Sequence, residues 1–144
     1  MLSLAEVSHV IALATAPAFL LGGTVALLAL LTSQLSRLME RASALHAVPE
    51  ASRHARWREA VVHLRRRARL LHLAMVLTLL SGIVTAGLVV LAFVGALLNL
   101  GLETPVATLF ILSFLLFAGA LCVLAVEVMA ALGELGLLEA GQPG

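Results

Sequence analysis

Charge is confined to a few places in this 144-residue chain, and that distribution limits its fold. All nine basic side chains are arginines between Arg37 and Arg69. Stretches 8–33, 70–102 and 104–126 contain no Asp, Glu, Lys or Arg. Each stretch exceeds the roughly 20 apolar residues that a helix needs to cross the hydrocarbon core of a bilayer. The sequence therefore predicts an all-α membrane protein with three transmembrane helices.

Composition supports the same conclusion. Hydrophobic residues make up 62% of the chain and the mean hydropathy is +1.12. In a soluble domain about half of the residues are apolar. Three helices of this length leave no room for a second folded core, so we expect one membrane domain over residues 1–144. The predicted spans are about 8–33, 70–98 and 105–127.

Segment 34–69 links the first two spans, and its apolar residues keep helical spacing on both sides of Pro49. Pro49 is the expected turn. The first and second helices should therefore extend beyond the membrane and form an antiparallel hairpin. An amphipathic segment lying on anionic lipid is the alternative. The expected hairpin core is Leu35, Leu38, Leu45, Trp57, Val61 and Leu64.

The same segment predicts the orientation of the chain. It carries nine arginines against three glutamates, while the rest of the chain has five glutamates and no basic residue. Loops rich in Lys and Arg stay in the cytoplasm. We therefore expect a multi-pass protein of the bacterial cytoplasmic membrane, with the amino terminus outside and the carboxyl terminus inside. Between two spans, this basic patch indicates orientation rather than nucleic-acid binding.

Small and hydroxyl-bearing residues recur on one stripe of the first span and on another of the second. Such stripes let helices approach closely in lipid, where packing rather than exclusion of water drives association. Two stripes exceed what one small bundle needs, so they predict a homo-oligomer; a pore lined by one stripe is the functional alternative to tight packing. The candidate residues are Ser8, Thr15, Gly22, Ala26, Ala29, Ser33, Thr78, Ser81 and Thr85.

Glu127 is the one acidic residue whose position predicts contact with the membrane. An unpaired charge at the bilayer centre costs about 3 kcal/mol or more, so Glu127 should lie near the interface or pair with a cation. Arg66, Arg67 and Arg69 reach the same depth on the second helix and are the candidate partners. The alternative is a proton or cation site.

Nothing in the sequence predicts catalysis or a cofactor. The pairs Glu50/His54 and Glu59/His63 each have helical spacing, but they are nine positions apart, which places them on opposite sides of a helix. The single cysteine, Cys122, allows no intramolecular disulfide. Phosphate-binding loops, zinc-protease motifs and nucleophile elbows are not found. We expect no enzymatic activity, no cofactor and no metal.

Four parts of the chain carry a resemblance: segments 16–23, 31–42 and 64–67, and Glu127 at the end of the third span. In these segments the chain resembles the domain of unknown function 2721 family of small bacterial membrane proteins, over most of its length. The resemblance implies a three-helix membrane fold with a cytoplasmic helical hairpin and supplies no activity. Family members tend to carry a basic residue at Gln34, Asp at Glu40 and Arg at Ser43.

The sequence thus predicts a membrane protein in contact with lipid that assembles with copies of itself, with ion conduction as a further hypothesis. The alternative is an accessory or scaffold subunit of a larger membrane complex, without activity of its own. The oligomeric state after mild solubilisation distinguishes these two hypotheses.

Overall fold

A computed structural model describes residues 4–47 and 55–140, and this part of the chain is helical apart from short turns. The helices are α1 (Leu4–His46), α2 (Ala55–Leu98) and α3 (Glu103–Ala140). The prediction of an all-helical chain with three long helices is confirmed for the described residues. The expected turn at Pro49 lies outside them.

All three helices are long and apolar enough to cross a membrane. They contain 43, 44 and 38 residues, which at about 1.5 Å per residue is roughly twice the 30 Å of a hydrocarbon core. Each helix therefore has a substantial part left over beyond one crossing. The helices begin earlier than the predicted spans, at Leu4 for α1 and Glu103 for α3.

Pro17 lies inside α1 and is buried, and the helix continues through it. A proline in a helix removes one backbone hydrogen bond. Pro17 is therefore an interior proline of α1, covered by its neighbours.

Helix α2 is the centre of the fold, and α1 and α3 both pack against it while scarcely touching each other. One close approach between α1 and α3 is at Gly23, where an added Cβ would lie 3.2 Å from Cζ of Phe117. The inward-facing positions recur at alternating steps of three and four, the spacing of helices packed side by side over many turns. On α1 and α2 these positions are Pro17, Leu20, Thr24, Leu27, Leu31, Leu38, Leu71, Ala74, Thr78, Ser81, Thr85 and Leu88.

The turn from α2 to α3 has the geometry of a helix C-cap. Asn99 has a φ of 54°, the left-handed conformation that Asn tolerates better than most residues. The Leu100 N–H donates to the carbonyl of Gly95 at 3.0 Å, the longer bond of a Schellman motif. An added Cβ on Gly95 would lie 3.1 Å from Cδ1 of Leu102, so this close approach favours glycine. The cap reverses the chain within a few residues and sets α3 antiparallel to α2.

Candidate functional site

Three hydroxyl groups lie between α2 and α3, and they are fully buried. The Ser81 hydroxyl donates to the Ser113 carbonyl at 2.8 Å, and the Ser113 hydroxyl donates to the Ser81 carbonyl at 2.9 Å. Thr85 donates to the Ser81 carbonyl at 2.7 Å, and its hydroxyl also contacts that of Ser113. We call Ser81, Thr85 and Ser113 the hydroxyl layer. Reciprocal bonds of this kind require the two backbones to lie close together, which small side chains allow.

The hydroxyl layer fixes register more than it supplies energy. Interhelical hydrogen bonds in membranes average about 0.6 kcal/mol each, because the separated helices find other partners. A shift of one helix along the other would, however, leave the hydroxyls against apolar side chains. Thr78, one turn away, instead donates to the Ala74 carbonyl of its own helix at 2.7 Å.

The same register brings a charged pair together at the end of the bundle that carries the arginines. Arg67 lies fourteen residues before Ser81, and Glu127 lies fourteen residues after Ser113. Arg67 Nε donates to Oε1 of Glu127 at 2.7 Å. Ala74 and Ala120, both with no exposed surface, lie halfway between the two layers. Helices α2 and α3 therefore contact each other in layers one heptad apart.

Glu127 is the more buried partner of the pair. Its side chain is 6% exposed, against 23% for Arg67. A charge-assisted hydrogen bond at this distance is among the stronger polar contacts in proteins. Removing one partner of such a buried pair costs about 3–5 kcal/mol, because the other charge stays buried without compensation. The pair therefore ties α3 to the part of α2 just before its apolar stretch.

The depth of the Arg67–Glu127 pair in a bilayer can be counted from the position of the hydroxyl layer. Ser81 and Ser113 lie near the middle of the charge-free stretches of their helices, so a bilayer centred on those stretches places the layer near its midplane. Fourteen residues at 1.5 Å put Arg67 and Glu127 about 21 Å away, beyond the roughly 15 Å half-thickness of the hydrocarbon. In a bilayer centred in this way, Glu127 would lie at interfacial depth, beside its cationic partner Arg67.

Of the three arginines expected near Glu127, the structure brings one to it. Arg66 and Arg69 are exposed, whereas Arg67 pairs with Glu127. Successive helical residues point about 100° apart, so only one of three closely spaced arginines can face α3.

The stripe of small residues on α1 lies on the outside of the bundle. Gly22, Ala26, Ala29 and Ser33 are all exposed, and each comes two positions after a buried residue of the same helix. Two residues correspond to about 200° of rotation, so the stripe lies almost opposite the face that packs on α2. The residues that continue the stripe toward the two ends of α1 are also exposed, and they are Ser8, Ala12, Thr15, Phe19 and Ser36.

The stripe of α2, unlike that of α1, is buried. Thr78, Ser81 and Thr85 have at most 1% of their surface exposed. They pack between helices of one chain, so the structure uses this stripe within the three-helix unit and leaves only that of α1 available to a partner.

A groove runs along the exposed stripe of α1. Phe19, with 80% of its surface exposed, stands beside it among smaller residues. Phe93 of α2 contributes to the groove's other wall. The lining residues are Ile11, Ala14, Thr15, Ala18, Phe19, Gly22, Gly23, Ala26 and Phe93. The face thus presents both a projecting ring and a depression.

The ends of α1 and α2 are in contact where the sequence predicts the hairpin core. Leu38 is buried, and Leu35, Leu45, Trp57, Val61 and Leu64 are half-buried. Trp57 Nε1 donates to the Leu45 carbonyl at 3.1 Å. The rings of Trp57 and His46 meet edge to face, with centroids 6.4 Å apart.

Sequence reasoning missed Ser113 and Thr24. Ser113 is the one hydroxyl-bearing residue between Phe110 and Glu127, and an isolated serine in an apolar helix is a signal of a packing contact. Thr24 is buried against α2, with its hydroxyl 3.5 Å from where a Cβ on Gly82 would lie. Thr24 was missed because it lies two residues from the small-residue stripe, on the face of α1 that the stripe does not include.

Among the residues that the structure describes, no three His, Cys, Asp or Glu side chains are grouped as metal ligands. Cys122 is exposed on α3. The contacts seen between helices are structural: they hold three helices together at a defined register.

Comparison with known proteins gives a family and no activity. No curated protein matches the chain, and no solved structure matches it. The family model described as a protein of unknown function, DUF2721, matches residues 14–137. This match includes most of α1, all of α2 and nearly all of α3, with both layers of contacts between α2 and α3. With three helices long and apolar enough to span a membrane and this match over most of its length, the chain belongs to the DUF2721 family.

Proposed function

We propose that this protein is a homo-oligomeric membrane protein whose copies associate through the exposed stripe of α1, from Ser8 to Ser36. One observation carries the proposal: the small residues of α1 face away from the unit that α1 helps to build. In lipid, a leucine-rich surface is already well solvated, and a small-residue surface is the kind that gains from close contact with another helix.

The shape of this face supports association between identical copies. A two-fold interface uses the same patch on both subunits, so a projection must fit a depression on that patch. Phe19 projects from the stripe, and the groove beside it passes Gly22, where an added Cβ would meet nothing within 4 Å. A second copy in the same membrane orientation, with its α1 parallel to the first, would place its Phe19 there.

We further propose that the arginine-bearing ends of α1 and α2 form a cytoplasmic hairpin, with the amino terminus outside and the protein in the bacterial inner membrane. The Leu45–Trp57 hydrogen bond supports a packed hairpin. The charge distribution supports its side, since Arg-rich segments resist translocation. Labelling of a His46→Cys variant in intact cells, on a Cys122→Ala background, would contradict this orientation.

The direct test is the mass of the solubilised protein. Purified protein in a mild detergent should give a multimer of one chain by light scattering coupled to size exclusion. A cysteine at Ala26, in the Cys122→Ala background, should form a disulfide between copies under oxidation. A monomer that co-purifies with a larger assembly would contradict the proposal and support an accessory subunit.

Ion conduction through such an assembly is a separate hypothesis. The hydroxyls of the α1 stripe lie toward its ends, at Ser8, Thr15, Ser33 and Ser36. Thr15 donates to the Ile11 carbonyl of its own helix at 2.9 Å. Between Phe19 and Ala29 the stripe is apolar. Flux assays in liposomes decide this point, and absence of flux in every ion gradient would remove conduction while leaving self-association intact. We assign the protein no catalytic activity.

A further inference from the structure

A shallow groove along one face of α2, at the arginine-bearing end, combines basic and apolar residues. Its lining residues are Arg65, Ala68, Arg69, His72, Leu73 and Val76. Arg65 and Arg69 are one helical turn apart on the same face, and His72 follows one turn later. The polar residues lie at one end of the groove and Leu73 and Val76 at the other.

The two arginines carry charge that the described part of the protein does not neutralise. Arg65 and Arg69 are both exposed. Glu127 pairs instead with Arg67, on a different side of the helix. Arginine presents several N–H donors in a plane that matches the oxygens of a phosphate. The basic end of the groove therefore suits an anion with several oxygens.

Depth decides what kind of anion can reach the groove. Counting from Ser81 at the midplane, Arg69 lies about 18 Å away, within the headgroup region that extends beyond the roughly 15 Å edge of the hydrocarbon. His72 lies about 14 Å away, at that edge, and Val76 about 8 Å away, among the acyl chains. The groove thus crosses from headgroup depth into hydrocarbon.

We propose that Arg65, Arg69 and His72 bind the phosphate of an anionic phospholipid whose acyl chain lies along Leu73 and Val76. Charge complementarity selects the anionic headgroup. The depth of the groove favours a lipid over free phosphate, because its apolar half lies among acyl chains and its basic half at the level of the lipid phosphates. This site is on α2 and does not depend on association through α1.

The test is native mass spectrometry of the full chain in detergent, titrated with phosphatidylglycerol and, separately, with phosphatidylcholine. The double variant Arg65→Gln/Arg69→Gln removes two charges from the groove. The matched control, Arg37→Gln/Arg41→Gln, removes two exposed arginines with the same four-residue spacing on α1. The same spectra report the oligomeric state, so loss of lipid binding and loss of assembly are seen separately.

We expect wild type and the α1 control to prefer phosphatidylglycerol equally. The α2 variant should bind it about 25-fold more weakly, since about 1 kcal/mol per basic residue near the surface is about fivefold for each. An equal loss in both variants would mean diffuse attraction and would overturn the site, as would no loss in the α2 variant. Displacement of the lipid by an equal concentration of inorganic phosphate would also overturn it, because the acyl wall would then contribute nothing.

Discussion

The substitution Gly22→Leu tests whether the exposed face of α1 is an interface between copies. An added Cβ on Gly22 would meet nothing within 4 Å in one chain. The isolated three-helix unit therefore accommodates the leucine, and loss of a helical glycine should favour the helix by about 0.5–1 kcal/mol. Any loss of assembly must then come from contacts with another molecule.

The magnitude follows from symmetry. An extra side chain forced into a packed contact costs about 1–3 kcal/mol, and in a two-fold interface the same substitution enters from both sides. Association should weaken by about 2–6 kcal/mol, which is at least about 30-fold in the dissociation constant.

The matched control is Gly87→Leu on α2, where an added Cβ also meets nothing within 4 Å. Both variants are measured by light scattering over a dilution series in mild detergent, with circular dichroism to check the helix content. The Gly87 variant should assemble like wild type while the Gly22 variant dissociates. Equal assembly of the two variants, or equal loss, would refute the interface on α1.

Two further predictions concern the contacts between α2 and α3. Glu127→Ala should lower the free energy of unfolding by about 3–5 kcal/mol, because Arg67 keeps a half-buried charge without its partner. The double variant Arg67→Met/Glu127→Leu removes both charges and should recover most of that loss. Unfolding assays in detergent measure both variants. A double variant no more stable than Glu127→Ala would contradict this account. Ser113→Ala should cost about 1 kcal/mol through its lost hydrogen bonds. Ser113→Leu should cost about 2–4 kcal/mol, because it loses the same bonds and also overpacks a site with no exposed surface. Thermal unfolding followed by circular dichroism checks both, and equal effects of Ala and Leu would contradict close packing at this layer.

The sequence determined the helices. Backbone polar groups in lipid must be paired within the chain, so long apolar stretches free of charge can only cross as helices. The isolated arginine segment, 37–69, delimits the first two of these stretches and gives α1 and α2 their extra length. Asn99 likewise indicates where α2 ends, since few residues other than Asn and Gly tolerate its left-handed backbone conformation.

The sequence could not say which face of α1 turns inward. One stripe contains Leu20, Leu27 and Leu31, and the other contains Gly22, Ala26 and Ala29, at the same helical spacing. In water the leucines would have to be inside, but lipid is as apolar as leucine, so hydropathy gives no preference. Only packing against α2 decided it, because that contact requires side chains that interlock over many turns.

The register between α2 and α3 was also decided by the tertiary structure. Three arginines could have met Glu127, and the choice of Arg67 depends on the angle at which α3 crosses α2. That angle follows from Ser81 and Ser113 fitting against each other two heptads away. The sequence pattern of one helix determines which side chains lie on each of its faces. Which helix packs against that face, and at what register, depends on the shapes of both helix surfaces.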